Sequence, residues 1–218
     1  MISSATRPRQ QSASGLSGPD VTPGQQFHLE KEYPDHFGAE DIEVFQGGWV
    51  YLAFAIDGAC SNNGKLNALP SFAVYFGPEN PYNIAGTADF RQHHTSQIAE
   101  LDAGFEALRQ ILLIKIRRSC DQDIGTVVIK SDSEYVVRGV TEWTSKWKKN
   151  DWKNCRGLPV ANAEHFMKIP ILIEMAEVLK VSVKFWLVRR ELNEEADSMA
   201  KSALESSLRG EDYLDDDL

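Results

Sequence analysis

The most restrictive feature of this sequence is the order in which strand-like and helix-like patterns follow one another. From residue 95, apolar side chains recur at 98, 101, 105, 108, 112 and 116, which is the spacing of one face of a helix. The segments typical of strands are 49–59, 71–77, 82–89, 125–132 and 181–188, and those typical of helices are 95–118, 133–140, 162–180 and 193–206. Consecutive strands favour antiparallel hairpins, whereas alternating strands and helices favour parallel crossovers. The order predicts an α/β domain with a mixed five-stranded sheet, antiparallel over its first three strands and then parallel, flanked by helices.

The composition changes at both ends of this pattern. Residues 1–45 are rich in Ser, Gln, Gly and Pro and have little apolar periodicity, so we predict a disordered N-terminal segment. The last eight residues contain five acids and no base. We therefore predict one folded domain over 46–206 and an acidic C-terminal tail over 207–218, a division that suits a chain of 218 residues.

Compartment is only weakly indicated. No apolar run approaches the roughly 18 residues that span a membrane, and no secretory signal pattern is present. Three cysteines without a C-x-x-C pair suit a reducing compartment. We expect a monomer without membrane association in the nucleus or cytoplasm, while Arg7 and Arg9, with no acid before Asp20, leave mitochondrial targeting open.

Acidic residues fall at the ends of several predicted elements. Asp57 and Asp132 directly follow strand-like segments, Glu100 lies near the start of the long helix, and Asp197 opens the last one. Each has an ordinary explanation: a turn at Asp57-Gly58, a helix N-cap at Asp132-Ser133, a favourable helix dipole at Glu100 and a solvated face at Asp197. Brought together, four such anions would repel unless cations joined them. Ligands that are all oxygen select Mg²⁺ or Mn²⁺, and two such ions suit phosphoryl-transfer chemistry.

The segment "EWTSKWKKNDWKN" at 142–154 is strongly basic, although the whole chain has a net charge of −9. Trp143 and Trp147 are four residues apart and would share one helix face. Either the tryptophans pack on a neighbouring helix beneath solvated lysines, or the segment attracts an anionic partner. A local field can attract an anion to a protein that is acidic overall.

Four motifs together carry a resemblance to a known family. In this order and spacing, "DGACSNNG", "HTSQIAE", "IKSDSEYVVRGVTEWTSKWKKNDWKN" and "NEEADSMAKSA" resemble type 1 ribonuclease H of the eukaryotic kind over about residues 49–206. The resemblance implies an endoribonuclease that cleaves the RNA strand of RNA–DNA hybrids, leaves 5′-phosphate products and uses two Mg²⁺ ions, with Mn²⁺ as the alternative metal. The catalytic and metal-binding positions that it implies are Asp57, Glu100, Asp132 and Asp197.

The same resemblance implies two sets of nucleic-acid contacts. The positions that would recognise the RNA 2′-hydroxyl are Asn63, Ser96 and Gln97, although "SNNG" is equally an Asn-Gly turn. The positions that would contact the DNA strand and its phosphates are Thr95, Tyr135, Trp143, Trp147, Lys148, Lys149 and Asn162.

One part of the family pattern is missing. The family usually has a histidine in a glycine-rich loop before its last helix, but this chain has the shorter "WLVRRELNEEAD". We expect slow turnover and a preference for Mn²⁺ as a result. Arg189 or Arg190 is either a substitute contact to phosphate or a partner of carboxylates such as Glu194. The alternative function is a hybrid-binding module with weak or vestigial nuclease activity; another nuclease or an integrase of the same fold is disfavoured by the "SNNG", "TSQ" and tryptophan–lysine elements.

Overall fold

The computed structural model describes residues 42–44, 49–87, 94–117 and 123–210. The strands are β1 Ile42–Val44, β2 Trp49–Ser61, β3 Leu69–Tyr75, β4 Ile84–Thr87, β5 Asp123–Ser131 and β6 Ser182–Leu187. The α-helices are α1 Ser96–Arg117, α2 Glu134–Arg138, α3 Thr144–Lys149, α4 Ala163–Val178 and α5 Glu194–Leu208. A π-helical turn, Gly139–Trp143, joins α2 to α3, and a 3₁₀ turn, Arg190–Leu192, precedes α5. None of these helices combines the length and apolar character that crossing a membrane requires.

The sheet has the predicted mixed topology. Its strands lie in the order β4-β3-β2-β5-β6, antiparallel between β4, β3 and β2 and parallel between β2, β5 and β6. The short β1 adds an antiparallel pairing to the first part of β2. Because β1 lies at 42–44, the sheet begins before the predicted domain start at residue 46, and α5 continues to Leu208, past the predicted end at 206. The rest of the predicted disordered segment, 1–41 and 45, and the tail residues 211–218 lie outside the described residues.

The two faces of the central strand β2 are covered differently. Leu52, Phe54 and Ile56 belong to the main core, which also contains the buried faces of α1 and α4. The alternate residues Ala53 and Ala55 point to the opposite face, since successive side chains of a strand alternate. On that face Ser71 of β3 donates a hydrogen bond to the carbonyl of Ala200 in α5, at 2.8 Å. Small side chains therefore let α5 lie close to the sheet.

The dipeptide Asp57-Gly58 does not form the expected turn. Both residues lie inside β2, which continues to Ser61, and the chain turns afterwards at Asn62 (φ 49°) and Gly64 (φ 75°). Gly58 has a different role: a Cβ there would overlap the backbone of Ala99 and Glu100 in α1. The missing side chain allows the start of α1 to rest directly on β2, beside Asp57.

Candidate active site

Asp57 and Asp132 are brought together by the register of two parallel strands. Ala55 pairs with Lys130, and the same register places Asp57 of β2 beside Asp132, which directly follows β5. Since β5 ends at Ser131, Asp57 lies level with the end of the neighbouring strand. The carboxyl ends of parallel strands are the usual location of sites in open α/β sheets. The expectation that these two acids lie at one edge is therefore confirmed. Asp57 is not the end of its own strand, however, because β2 continues beyond it.

Asp57 is the most perturbed acid of this edge. Its side chain is buried, and that burial, followed by the negative charges of Asp132 and Asp197, raises the pKa of Asp57 from 3.8 to about 7. A side-chain hydrogen bond between the carboxyl groups of Asp57 and Asp197 adds to this rise in the pKa of Asp57. Without a cation, Asp57 therefore titrates near neutral pH, where an isolated aspartate has already lost its proton.

Glu100 reaches the same edge from the other face of the sheet. It is the fifth residue of α1, and the first turn of that helix contains no acid, so the helix dipole does not explain its position. Ser133 donates a hydrogen bond to Glu100 Oε2 at 2.5 Å. Burial raises the pKa of Glu100, the Ser133 bond opposes that rise, and the charge of Asp132 adds to it. Asp132 is thus electrostatically coupled to acids from both faces.

The N-cap interpretation of the Asp132-Ser133 pair is confirmed, with Ser133 as the cap. Ser133 Oγ accepts from the Val136 backbone N–H at 3.3 Å. The same hydroxyl can do this while donating to Glu100, because a hydroxyl both donates and accepts. Asp132 is left available for other contacts.

Asn193 is a site residue that sequence reasoning missed. It is buried just before α5, and its Nδ2 donates to Asp132 Oδ1 at 2.9 Å and to the backbone carbonyl of Ile56 at 3.0 Å. An Asn before a helix suggests an N-cap, yet its side chain makes no cap hydrogen bond. Its amide instead ties α5 to β2 and holds Asp132 in place. No local signal in the sequence distinguishes this role from an ordinary cap.

Asp197 lies in the first turn of α5, as predicted, but it is not simply solvated. Lys201 Nζ contacts Asp197 Oδ2 at 2.6 Å, and an Arg190 guanidinium nitrogen contacts Oδ1 at 3.3 Å. Burial raises the pKa of Asp197, but Lys201, Arg190 and the hydrogen bond from Asp57 outweigh it, so the pKa falls below its usual value. Asp197 is therefore firmly ionised at neutral pH.

The donor set fits hard divalent cations, because all four acids offer carboxylate oxygens. No three His, Cys, Asp or Glu side chains in the described part of the chain already form a closed metal cage. The contacts explain why: Glu100 is turned to Ser133, Asp132 to Asn193, and Asp197 to Lys201 and Arg190. The backbone brings the acids to one edge, where Ser133 and Asn193 each engage one carboxylate oxygen, of Glu100 and Asp132 respectively, whereas both oxygens of Asp197 have cationic partners.

The residues expected to recognise RNA lie around the start of α1. Asn63 and Ser96 exchange two hydrogen bonds, Nδ2 to Oγ at 3.3 Å and backbone N–H to Oδ1 at 3.2 Å. Thr95 Oγ1 accepts from the Ile98 backbone N–H, as an N-cap does. Gln97 is exposed on the same turn. The Asn-Gly turn is present too, so the turn and the paired polar groups coexist.

In the basic segment the tryptophans pack on a neighbouring helix, as one of the two interpretations predicted, and the lysines are exposed. Trp143 lies 5.7 Å from Trp147, centroid to centroid, and Trp147 lies 5.0 Å from Phe166 of α4. Lys148 pairs with Glu174 at 3.4 Å, and both side chains are largely exposed. Lys149 is exposed as well. The tryptophans thus anchor a short helix on the core and hold the lysines outward.

Tyr135 and Asn162 form a second polar pair beside this segment. Asn162 Nδ2 donates to the Tyr135 hydroxyl at 3.0 Å, from a left-handed backbone conformation (φ 55°). Burial raises the pKa of Tyr135, and the charge of Glu100 raises it further, so Tyr135 lies close to the acidic edge. In the described residues no hydrogen bond joins Asn162 to Thr95, another of the expected contacts to the DNA strand and its phosphates.

The loop without histidine is compact. After β6, Arg189 leads into the 3₁₀ turn at 190–192, and Arg190, Glu191, Glu194 and Asp197 surround an open depression. Arg190 pairs with Asp197 rather than with Glu194. Arg190 therefore lies beside the candidate site, and 70% of its side chain is exposed.

Comparisons with known proteins agree with this architecture. The family model for RNase H matches residues 51–205. Ribonuclease H1 of Mus musculus is 30% identical over 203 residues, an alignment that covers 92% of this chain and 65% of the mouse protein. Ribonuclease H1 of Homo sapiens is 32% identical over 171 residues, covering 78% of this chain and 54% of the human protein. The chain thus spans less than two thirds of the length of these relatives.

The fold also occurs among solved structures, of which one example follows. It is that of a foamy viral protease-reverse transcriptase in complex with RNA/DNA hybrid, with a TM-score of 0.52 and 19% sequence identity. The match covers 79% of this chain and 22% of the viral chain.

Proposed function

We propose, because this chain belongs to the RNase H family, that it hydrolyses the RNA strand of RNA–DNA hybrids with the help of two divalent cations. The observation that carries the proposal is the state of Asp57. Its side chain is buried. Among the described residues, the charges that shift its pKa are those of Asp132 and Asp197, which are negative and raise it. A folded core has no structural need for such a cluster, which is costly unless a cation joins it. Perturbed acids of this kind are typical of functional sites.

The four acids divide naturally around Asp57. Asp57, Glu100 and Asp132 would hold one cation, and Asp57 and Asp197 would hold the other. Divalent cations at such a site activate water for in-line attack on a phosphodiester and stabilise the leaving oxygen. Asn193 keeps Asp132 oriented, and Ser133 does the same for Glu100.

Two surfaces beside the acids suit the two strands of a hybrid. Asn63 and Ser96 can each donate and accept, as a 2′-hydroxyl requires, and their mutual bonds keep both groups at the start of α1. The exposed lysines of α3 suit the phosphates of the other strand. The foamy viral protein that shares the fold was itself solved with an RNA/DNA hybrid.

Purified protein incubated with labelled substrates tests this proposal. We expect cleavage of the RNA strand of a hybrid with Mg²⁺ or Mn²⁺, none with EDTA, and none of duplex RNA or duplex DNA. Tight binding of the hybrid without cleavage under any metal would favour the hybrid-binding module instead. Failure to bind or cleave the hybrid would contradict the proposal.

Removing lysines from the basic segment should weaken hybrid binding in a salt-dependent way. For Lys148→Ala with Lys149→Ala, the slope of log affinity against log salt should become shallower by about 0.9 for each phosphate that is no longer neutralised. The tryptophans are left intact because Trp147 packs on Phe166, and its removal would also disturb the fold.

The control for this experiment is Arg109→Ala, which removes one exposed charge from α1 outside the basic segment. Its slope, measured by fluorescence anisotropy between low and moderate salt, should equal that of the wild type. An unchanged slope for the double lysine variant would mean that these lysines are merely solvated.

The loop without histidine should limit turnover. General acid–base assistance is worth about 10²–10⁴-fold where it exists, so we expect slow cleavage in Mg²⁺ and faster cleavage in Mn²⁺. Replacing residues 189–192 by a loop with glycine and histidine should raise the Mg²⁺-supported rate. A cation at Asp197 would release Arg190, which could then contact a phosphate of the substrate. If it does, Arg190→Ala should lower the Mg²⁺-supported rate. Rates unaffected by Arg189→Ala, Arg190→Ala and the loop graft would contradict this role of the loop.

A further inference from the structure

Asp197 differs from the other three acids in the kind of partner that holds it. Glu100 accepts from a neutral hydroxyl, Asp132 accepts from a neutral amide, and Asp57 lies beside the carboxyl group of Asp197. Asp197 contacts two cationic side chains, one on each carboxylate oxygen. Any cation that approaches Asp197 therefore meets positive charge that is already in place.

The two cationic side chains are not equally fixed. Lys201 lies one helical turn after Asp197 on α5, where an i, i+4 pair is held by the helix itself. Its amine contacts the carboxylate at 2.6 Å, and 53% of its side chain is exposed. Arg190 approaches from the short 3₁₀ turn at 3.3 Å and is 70% exposed. Arg190 can move into solvent at a small cost in free energy. Lys201 stays within reach of Asp197 whatever the conformation of the 3₁₀ turn.

We propose that Lys201, assisted by Arg190, competes with a divalent cation for Asp197 and so makes the Asp197 side of the site the weaker of two ion positions. This inference rests on the proposed function and deepens it. The hydrogen-bond partners of Glu100 and Asp132 at the other position are the neutral groups of Ser133 and Asn193, each bonded to one carboxylate oxygen. A cation on the Asp197 side has to displace Arg190 from Oδ1 and remain near the Lys201 amine. The two positions therefore fill in order, with the Asp197 side last.

The geometry gives Lys201 a role that an ordinary surface ion pair lacks. Surface pairs on helices are common and contribute little to stability. Lys201 is set apart because its partner also shares a hydrogen bond with the buried Asp57. Lys201 is thus a positioning residue: it acts on the ion through Asp197, without being a ligand itself.

The test is a titration of the full chain with Mn²⁺ in the absence of nucleic acid, followed by electron paramagnetic resonance of the free ion. We expect one tighter and one weaker ion for the wild type. Lys201→Met keeps the length of the side chain and removes its charge, so the weaker ion should bind about tenfold more tightly, as loss of a repelling charge at contact distance predicts. Lys201→Arg should restore the wild-type pattern.

Arg209→Met provides the matched control, since it removes a charge from an i, i+4 pair with Glu205 at the far end of the same helix. It should leave both affinities unchanged. If Lys201→Met leaves the weaker affinity unchanged or lowers it, the inference is overturned while the proposed function stands. If the wild type binds no Mn²⁺ at all, the proposed function and the inference fail together.

Discussion

Asp132→Asn should abolish cleavage of an RNA–DNA hybrid while leaving binding of the hybrid nearly unchanged. Asp132 is coupled to acids on both faces of the sheet, so losing its charge weakens the hold on cations on both sides of Asp57. Cations at such sites supply several kcal/mol of transition-state stabilisation, so we expect a rate at least about 10³-fold lower. The substituted amide oxygen can still accept from Asn193, which preserves the fold around it. The exposed lysines of α3, which we propose to bind the DNA strand, are untouched.

The measurement is single-turnover cleavage at saturating Mg²⁺, with binding followed separately in EDTA. Glu134→Gln is the matched control, because it makes the same chemical change two residues later, at an exposed acid that pairs with Arg138. Glu134→Gln should cleave at the wild-type rate. If Asp132→Asn does so as well, the acidic edge is not the active site.

Gly58→Ala should damage both stability and activity, although it adds a single methyl group. The new Cβ would overlap the backbone of Ala99 and Glu100, and backbone cannot rotate away as a side chain can. Helix α1 would have to move off β2. Overpacking of this kind costs about 1–3 kcal/mol, and we expect the upper end of that range. Because Glu100 and Ser96 move with the helix, a displacement of about 1 Å should also lower the cleavage rate roughly 10²-fold.

Gly104→Ala is the natural comparison, since it makes the same substitution within α1. There the nearest side-chain atom to an added Cβ is Ile56 Cδ1, at 3.7 Å, which is an ordinary contact. Alanine is a better helix former than glycine by about 1 kcal/mol, so this variant should be as stable as the wild type or more so. Urea denaturation measures the difference in free energy of unfolding. Equal stability of the two variants would mean that α1 does not rest on Gly58.

The fold was predictable because its signals are local and repeated. The apolar spacing along 95–118 and the strand-like runs identify the elements, and their order indicates which strands pair antiparallel and which pair parallel. The short β1 escaped prediction because three residues give no period to detect. The prediction of a turn at Asp57-Gly58 was wrong because that dipeptide often forms one. Here the glycine instead allows close contact with the backbone of a helix 41 residues further along the chain.

The sequence by itself determined the element order and the mixed sheet, through short-range patterns, and the rule that parallel strands end together brought Asp57 and Asp132 to one edge. The complete set of four acids came from the resemblance of its motifs to type 1 ribonuclease H. Tertiary structure decided which partner each acid has: Asn193 for Asp132, Ser133 for Glu100, and Lys201 with Arg190 for Asp197. Except for Lys201, whose spacing of four residues from Asp197 is visible in the sequence, these contacts join loops and elements that only packing brings together. A hydrogen bond or ion pair depends on distances of a few tenths of an ångström, and residue spacing does not encode such distances between separate elements.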